Sequence, residues 1–309
     1  MIFLVYGAVS ALLLSGVEQG SGAPFPRVQA VPLPEGQVAF EIDGVEAARY
    51  HYGASVLRPY LFPLIGPAGQ RVTRLGHPHD PHGHRHHRSI WIGHRDVNGV
   101  SFWEEPGGRI VQERIASVSD GPDAASLVVR LSWRDTGGKA LLDERRTMTL
   151  RALPDGELLL DIALELKPVE GPVTLGKTPF GFLGVRVAKT MSVHDGGGMI
   201  RNSEGGVNEA GVHWKRARWV DYAGRVAPAT RNGIAFLDHP GNPRSPTYFH
   251  VRDDGWMGAS FTYAEPYKLA PDESLIFRYR LYVHGPDTTP ESIESRWNEF
   301  AEEGPCARK

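Results

Sequence analysis

Residues 157–166 read ELLLDIALEL. Leu158, Leu160, Ile162, Leu164 and Leu166 recur at every second position, with Asp161 and Glu165 between them. A period of two puts the leucines on one face of an extended chain and the acids on the other, which defines a half-buried antiparallel strand. Residues 275–284, LIFRYRLYVH, repeat the pattern: Leu275, Phe277, Tyr279, Leu281 and Val283 oppose Arg278 and Arg280. The same reading outward from these two segments predicts strands at 38–42, 47–52, 109–118, 126–133, 140–150, 182–187, 233–237, 247–251 and 258–263. Turn-forming groups stand between them, among them Pro154-Asp155-Gly156, Glu170-Gly171-Pro172 and Arg231-Asn232-Gly233. One helix is predicted near 290–303. Thr289 caps it, Pro290 suits its first position, and Ile293, Trp297, Phe300 and Ala301 follow helical spacing. The expected fold is all-β: a large antiparallel β-sandwich with one C-terminal helix.

Composition agrees. Gly and Pro together account for 60 of 309 residues, well above the roughly 12% of average usage. The formal net charge is −2, so no basic field is present to hold a nucleic acid. Cys306 is the only cysteine, which rules out an intrachain disulfide and a thiolate metal centre. Residues 2–14, IFLVYGAVSALLL, form a short apolar run followed by Ser21-Gly22-Ala23. This has the layout of a secretory signal peptide over 1–23, and the protein is expected to be exported. Residues 24–39 then read as a leader or linker and 40–309 as one domain. No other run is long and apolar enough for an integral membrane span.

Seven of the thirteen histidines fall between residues 77 and 94. Imidazole is the commonest metal ligand and titrates near neutrality. His77, His79 and His82 sit among Pro and Gly in what reads as a polar loop. From His86 the text becomes strand-like. His86, Arg88, Ile90, Ile92 and His94 fall on one face, and His87, Ser89, Trp91 and Gly93 on the other. A divalent metal held by His84, His86, His87 and His94 is one expectation. Without thiolate, such ligands suit zinc, iron or copper. A polar cleft of His and Arg is the other.

Further polar clusters lie downstream. Residues 201–206 are Gly-rich but lack the strand–GxxxxGK–helix arrangement of a phosphate loop. Residues 215–222 mix Lys215, Arg216 and Arg218 with Trp219 and Tyr222, groups able to stack on sugar rings and bind hydroxyls. Residues 238–244 end a strand with Asp238, His239, Asn242 and Arg244. An Asp beside a His can serve acid–base work.

Six phrases occur in order: LRPYLFPLIGPAGQRVTR (57–74), HHRSIWIGHRDVNGVSFW (86–103), FGFLGVRVAKTMSV (180–193), RARWVDYAG (216–224), GIAFLDHPGNPRSPTYFHVR (233–252) and LIFRYRLYVHG (275–285). Together they resemble the bacterial PmoA-like family, often labelled "methane oxygenase PmoA", over roughly residues 40–300. The sequence departs from that family's pattern at Gly83, where an Asp would precede the histidines, and at Ser260-Phe261-Thr262. The layout is also similar to the galactose-mutarotase-like supersandwich, whose members bind carbohydrates. The combined expectation is a carbohydrate-directed hydrolase, lyase or epimerase acting on a small molecule or oligosaccharide. His86, His87, Arg88, His94, Asp238 and His239 would supply catalysis. Lys177, Arg186, Trp219, Asp221, Asn242, Arg244 and Arg252 would bind substrate, all in one shared cleft. A non-catalytic carbohydrate-binding protein and a metal-dependent oxygenase are the alternatives.

Overall fold

The structure, a computed structural model, describes residues 25–76, 84 and 86–304. The expected signal peptide, His77, His79, His82, Gly83 and Cys306 lie outside the described residues. In chain order the strands are β1 (Val28–Leu33), β2 (Gln37–Ile42), β3 (Val45–His51), β4 (Tyr60–Leu64), β5 (Ile90–His94), β6 (Arg109–Ser119), β7 (Ala124–Arg134), β8 (Ala140–Ala152), β9 (Leu158–Pro168), β10 (Val173–Leu175), β11 (Gly181–Arg186), β12 (Met199–Asn202), β13 (Lys215–Arg216), β14 (Trp219–Ala227), β15 (Thr230–Asp238), β16 (Tyr248–Arg252), β17 (Trp256–Ser260), β18 (Tyr267–Leu269) and β19 (Leu275–His284). The helices are α1 (Val193–Gly196), α2 (Asn208–Val212) and α3 (Pro290–Glu302).

Two large sheets form. One runs β1-β2-β3-β4-β5-β11-β17-β16-β13 and the other β12-β14-β15-β19-β9-β8-β7-β6, with β10 and β18 as a small separate pair. The pairings are antiparallel, including β5 with β11, β11 with β17, and β19 with β9. The leucines of ELLLDIALEL and the aromatic face of LIFRYRLYVH enter one core with Ile90, Ile92, Leu183, Val185 and Met257 of the other sheet. The alternation read from the sequence is therefore the inward-facing side of a sandwich.

The far face of the eight-stranded sheet is covered by α3. Its Ile293 and Phe300 pack on Leu159, Trp219, Ala235, Leu237 and Tyr282. Thr289 caps the helix by accepting the Ser292 N–H at 3.3 Å. The all-β sandwich with a C-terminal helix is what the structure shows, with two short helices, α1 and α2, in addition.

Two expectations change. The stretch 24–39 is not a linker throughout, because β1 pairs along its whole length with β2 and buries Val28 and Ala30. Residues 215–222, read as a basic and aromatic cluster, lie mostly on paired strands: Lys215–Arg216 is β13, and Trp219–Tyr222 opens β14. Among the described residues, no helix is long and apolar enough to cross a membrane.

Candidate functional site

The strand containing the histidine motif starts at Ile90, later than its alternation suggested. Ser89 has φ +63, a left-handed conformation that breaks the extended run ahead of Ile90. His86 and His94 therefore do not share a face. His94 points with Ile90 and Ile92 towards the sandwich core, against Phe182. The Asp96 N–H donates to its Nδ1 at 3.1 Å, and Nε2 donates to Thr262 Oγ1 at 2.8 Å. Burial holds its pKa down at about 4. This is a satisfied neutral core imidazole, with neither nitrogen left for a metal.

The opposite face of the same strands builds a different environment. Trp91 of β5, Trp103 and Trp256 of β17 form a cluster separate from the main core. Beside it lies a cavity of about 220 Å³ lined by His84, His86, His87, Trp103, Glu104, Phe180, His250, Arg252 and Trp256. His87 stacks on His84 at 4.5 Å and lies 4.7 Å from the Trp256 ring. His250 of β16 packs on Phe180 and Trp214.

Behind the wall runs a charged chain. Arg186, fully buried at the end of β11, donates to Asp254 through Nη1 at 2.7 Å and Nη2 at 3.3 Å. Asp254 Oδ2 lies 3.2 Å from His84 Nδ1. Burial alone would raise the Asp254 carboxyl, but His84 and Arg186 hold it well below the usual carboxylate range. It is thus a fixed anion beside the imidazole. Burial pushes His87 far below its ordinary range, and Arg186, His86 and His84 add to the effect. His250 is held at about 3 by burial, with His213 and Arg252 contributing. Both rings are neutral at pH 7.

The cavity brings together four of the residues singled out in the sequence: His84, His86, His87 and Arg252. Arg186 supports it from behind. Arg88 lies beside it, over the Tyr60 ring and 3.9 Å from Glu105. Lys177 is exposed in the loop between β10 and β11. The others stand elsewhere and correct the shared-cleft expectation. Asp238 and His239 end β15 in the other sheet, where Asp238 binds Asn242, Ser245 and Thr247, and His239 packs on Phe300. Asn242 is fixed to Arg278 through both its amide atoms. Arg244 donates to the carbonyls of Phe261, Glu265 and Pro266 and so holds a loop. Trp219 sits under α3, donating to Glu294 at 2.6 Å. Asp221 is buried between Arg201 and His284.

Trp219 also borders an open groove of about 540 Å³ with Arg201, Arg218 and Glu294. There Arg218 and Trp219 bind Glu294, and Arg201 binds Asp221. At that groove the ion pairs leave one buried nitrogen, Arg201 Nε, without a partner among the described residues, whereas the histidine cavity keeps unmatched imidazole nitrogens on both His87 and His250. That contrast marks the histidine cavity as the site.

The metal expectation does not fit these residues. Among the described residues no three His, Cys, Asp or Glu side chains converge as a ligand group, and His94 is committed to Thr262 and Asp96. Trp103, Glu104 and Phe180 of the wall were not singled out in the sequence, nor were Asp254, His250 and Trp256. Asp254 and Trp256 lay between the strands assigned to 247–251 and 258–263, and His250 was part of a strand phrase. Only pairing between distant strands brings them to His84.

The fold and the cavity define an antiparallel two-sheet sandwich protein with an imidazole-rich, aromatic-walled site on the outer face of one sheet. The chain belongs to the family of unknown function DUF6807, whose pattern matches residues 37–298. The PmoA-like resemblance rests on the quoted phrases alone. No curated protein matches at the sequence level. Among solved structures, the chain is similar to the heparan sulfate lyase HepC from Pedobacter heparinus, with 9% identity and a TM-score of 0.41 over 87% of this chain. It spans 38% of that lyase chain. It is also similar to a GalM/aldose epimerase homologue from C. elegans, with 10% identity and a TM-score of 0.34, covering 84% of this chain and 98% of that one.

Proposed function

We propose that this protein is an exported, carbohydrate-directed enzyme that moves a proton at a sugar carbon, as an epimerase or lyase does. The observation that carries the reading is the Arg186–Asp254–His84 chain ending at an aromatic-walled cavity. With Asp254 beside its Nδ1, His84 would take a proton at Nε2, and Asp254 would stabilise the imidazolium that forms. The volume of about 220 Å³ lies below that of drug-sized pockets and suits one sugar ring. Trp103, Trp256 and Phe180 give it apolar walls, and His87 gives a neutral imidazole.

Hydrolysis is the weaker option, because it uses two carboxylates flanking the bond. Among the described lining residues only Glu104 carries one, and Asp254 is bound by Arg186 and His84. The apolar run 2–14 supports export, and the six ordered phrases support kinship with PmoA-like proteins.

The test is a binding screen of monosaccharides and uronides, followed by proton exchange of the bound sugar in D2O, read by NMR. His84→Ala is expected to abolish exchange while sugar binding persists. Asp254→Asn should slow exchange by about 10²-fold, within the range for general acid–base catalysis. Exchange at the parent rate in His84→Ala would overturn the mechanism. A binding protein without catalysis would bind sugar and show no exchange in the parent.

A further inference from the structure

His87 and His250 are 5% and 8% exposed, and both line the same cavity. Each keeps a ring nitrogen, Nδ1, with no hydrogen-bond partner among the described residues. Buried polar groups are nearly always paired in folded proteins, so two unpaired imidazoles on one cavity mark a place where a ligand supplies what the chain does not.

The surroundings specify the ligand's character. Arg186, His86 and His84 face His87, while His213, Arg252 and His84 face His250; Asp254 is the carboxylate opposing them in both cases. Asp254 is already held by Arg186 and His84. Glu104, the carboxylate on the cavity wall, lies 3.5 Å from Arg95. Arg252 is half exposed at the rim, with its Nε 2.8 Å from Glu209. Its terminal N–H groups make no hydrogen bond among the described residues. An arginine in this state presents a planar fork matched to a carboxylate. Neutral imidazoles bring one donor and one acceptor each, so the excess of donors and of positive charge at the cavity is that of Arg252. A neutral sugar hydroxyl needs both; a carboxylate needs donors alone.

Building on the reading of a sugar site, we propose that the sugar is acidic: a uronate whose carboxylate is held by Arg252 beside the imidazoles of His87 and His250. The carboxylate would then anchor one end of the ring and leave the rest against the aromatic wall near His84. An acidic group next to the carbon also eases removal of its proton, because adjacent cations stabilise the negative charge that develops.

The experiment is calorimetric titration of the full chain with D-glucuronate and D-galacturonate, and with D-glucose and D-galactose as their neutral parents. Each uronate is expected to bind about tenfold or more tightly than its parent, as for a charge-assisted pair. The preference should shrink in high salt. Arg252→Gln should remove the difference between acid and parent sugar, and Arg252→Lys should restore part of it. Arg252 is half exposed, and an unchanged melting temperature will show that both variants fold. Uronates binding no better than their parents would overturn the acidic preference and leave the sugar reading standing. If neither class binds, the sugar reading fails and the acidic one with it. A preference that survives in Arg252→Gln would overturn the assignment to Arg252.

Discussion

His284 is 1% exposed, with Nδ1 2.9 Å from the Gly285 carbonyl and Nε2 2.9 Å from Asp221 Oδ1. Both neighbours are acceptors, so only the imidazolium satisfies both. Burial alone would lower its pKa, but the Asp221 carboxylate outweighs burial and raises it above the ordinary 6.5. Its contribution to stability is therefore full below about pH 6.5 and is lost as pH rises through the folded-state value. Imidazole ¹⁵N shifts are expected to show both nitrogens protonated at pH 7; a neutral tautomer there would remove the argument. Asp238 behaves in the opposite sense to an ordinary paired acid. Burial lifts it from 3.8 to about 6, despite hydrogen bonds from Asn242, Ser245 and Thr247. The folded state then keeps a proton that the unfolded chain releases between those values, so stability falls as pH rises through that window. The loss by pH 7 should be on the order of 1–3 kcal/mol, at about 1.4 kcal/mol per pKa unit. Melting curves from pH 4 to 7 should show the decline in the parent and flatten it in Asp238→Asn. Equal slopes in the two proteins would disprove the assignment.

Four adjacent strands make the floor of the site, the middle two from what they lack. Trp91 of β5 stands opposite Gly184 of β11, Gly184 opposite Gly258 of β17, and Gly258 opposite His250 of β16. The Trp256 indole covers the two glycines. A Cβ at Gly184 would meet Trp256 Cη2 at 2.3 Å, and one at Gly258 would meet Cζ2 at 2.7 Å. Gly184→Ala should therefore displace the indole and the His87 ring beside it. The overpacking cost is expected to be about 1–3 kcal/mol, with a changed near-ultraviolet CD spectrum and weakened ligand binding. An unaltered aromatic spectrum would show that the indole does not rest there. At this scale the sequence was readable where alternation was strong. Leu158–Pro168 and Leu275–His284 fell close to their expected bounds. It was less readable at the histidines, because the left-handed turn at Ser89 carries no periodic signal. It was least readable for pairing. Nothing local in GFLGVR or WMGAS says that these strands lie side by side, since the hydrogen bonds joining them span about seventy residues.

Whole-molecule packing sets the site on one outer face and α3 on the other, so the residues flanking the core decide function while the core must hold two sheets together. The polar groups named in the sequence divided accordingly. His84, His86, His87 and Arg252 came to one cavity, whereas Asp238, Asn242 and Arg244 secure the loop that crosses from β15 of one sheet to β16 of the other. The core itself contains one polar element that the alternation concealed. In LLDERRTM, Leu142 and Met148 face inward, and so do Glu144 and Arg146 between them, each 1% exposed. Glu144 accepts from Arg146 Nε at 2.6 Å and Nη2 at 3.0 Å, and from the Trp133 indole at 2.7 Å. Tyr50 of the opposite sheet is buried in the same core with its hydroxyl unpartnered among the described residues. A buried pair of this kind adds little over well-packed apolar residues, because desolvation offsets attraction, but breaking it strands a charge in the interior. Glu144→Gln should therefore cost about 3–5 kcal/mol, while the double replacement Glu144→Leu with Arg146→Met should be neutral or stabilising by about 1–4 kcal/mol. Urea denaturation of the three proteins separates the cases. If the single and double variants lose the same stability, the pair contributes net attraction between its members and the desolvation argument fails. If only the single variant is destabilised, the pair's role is to keep its own charges satisfied.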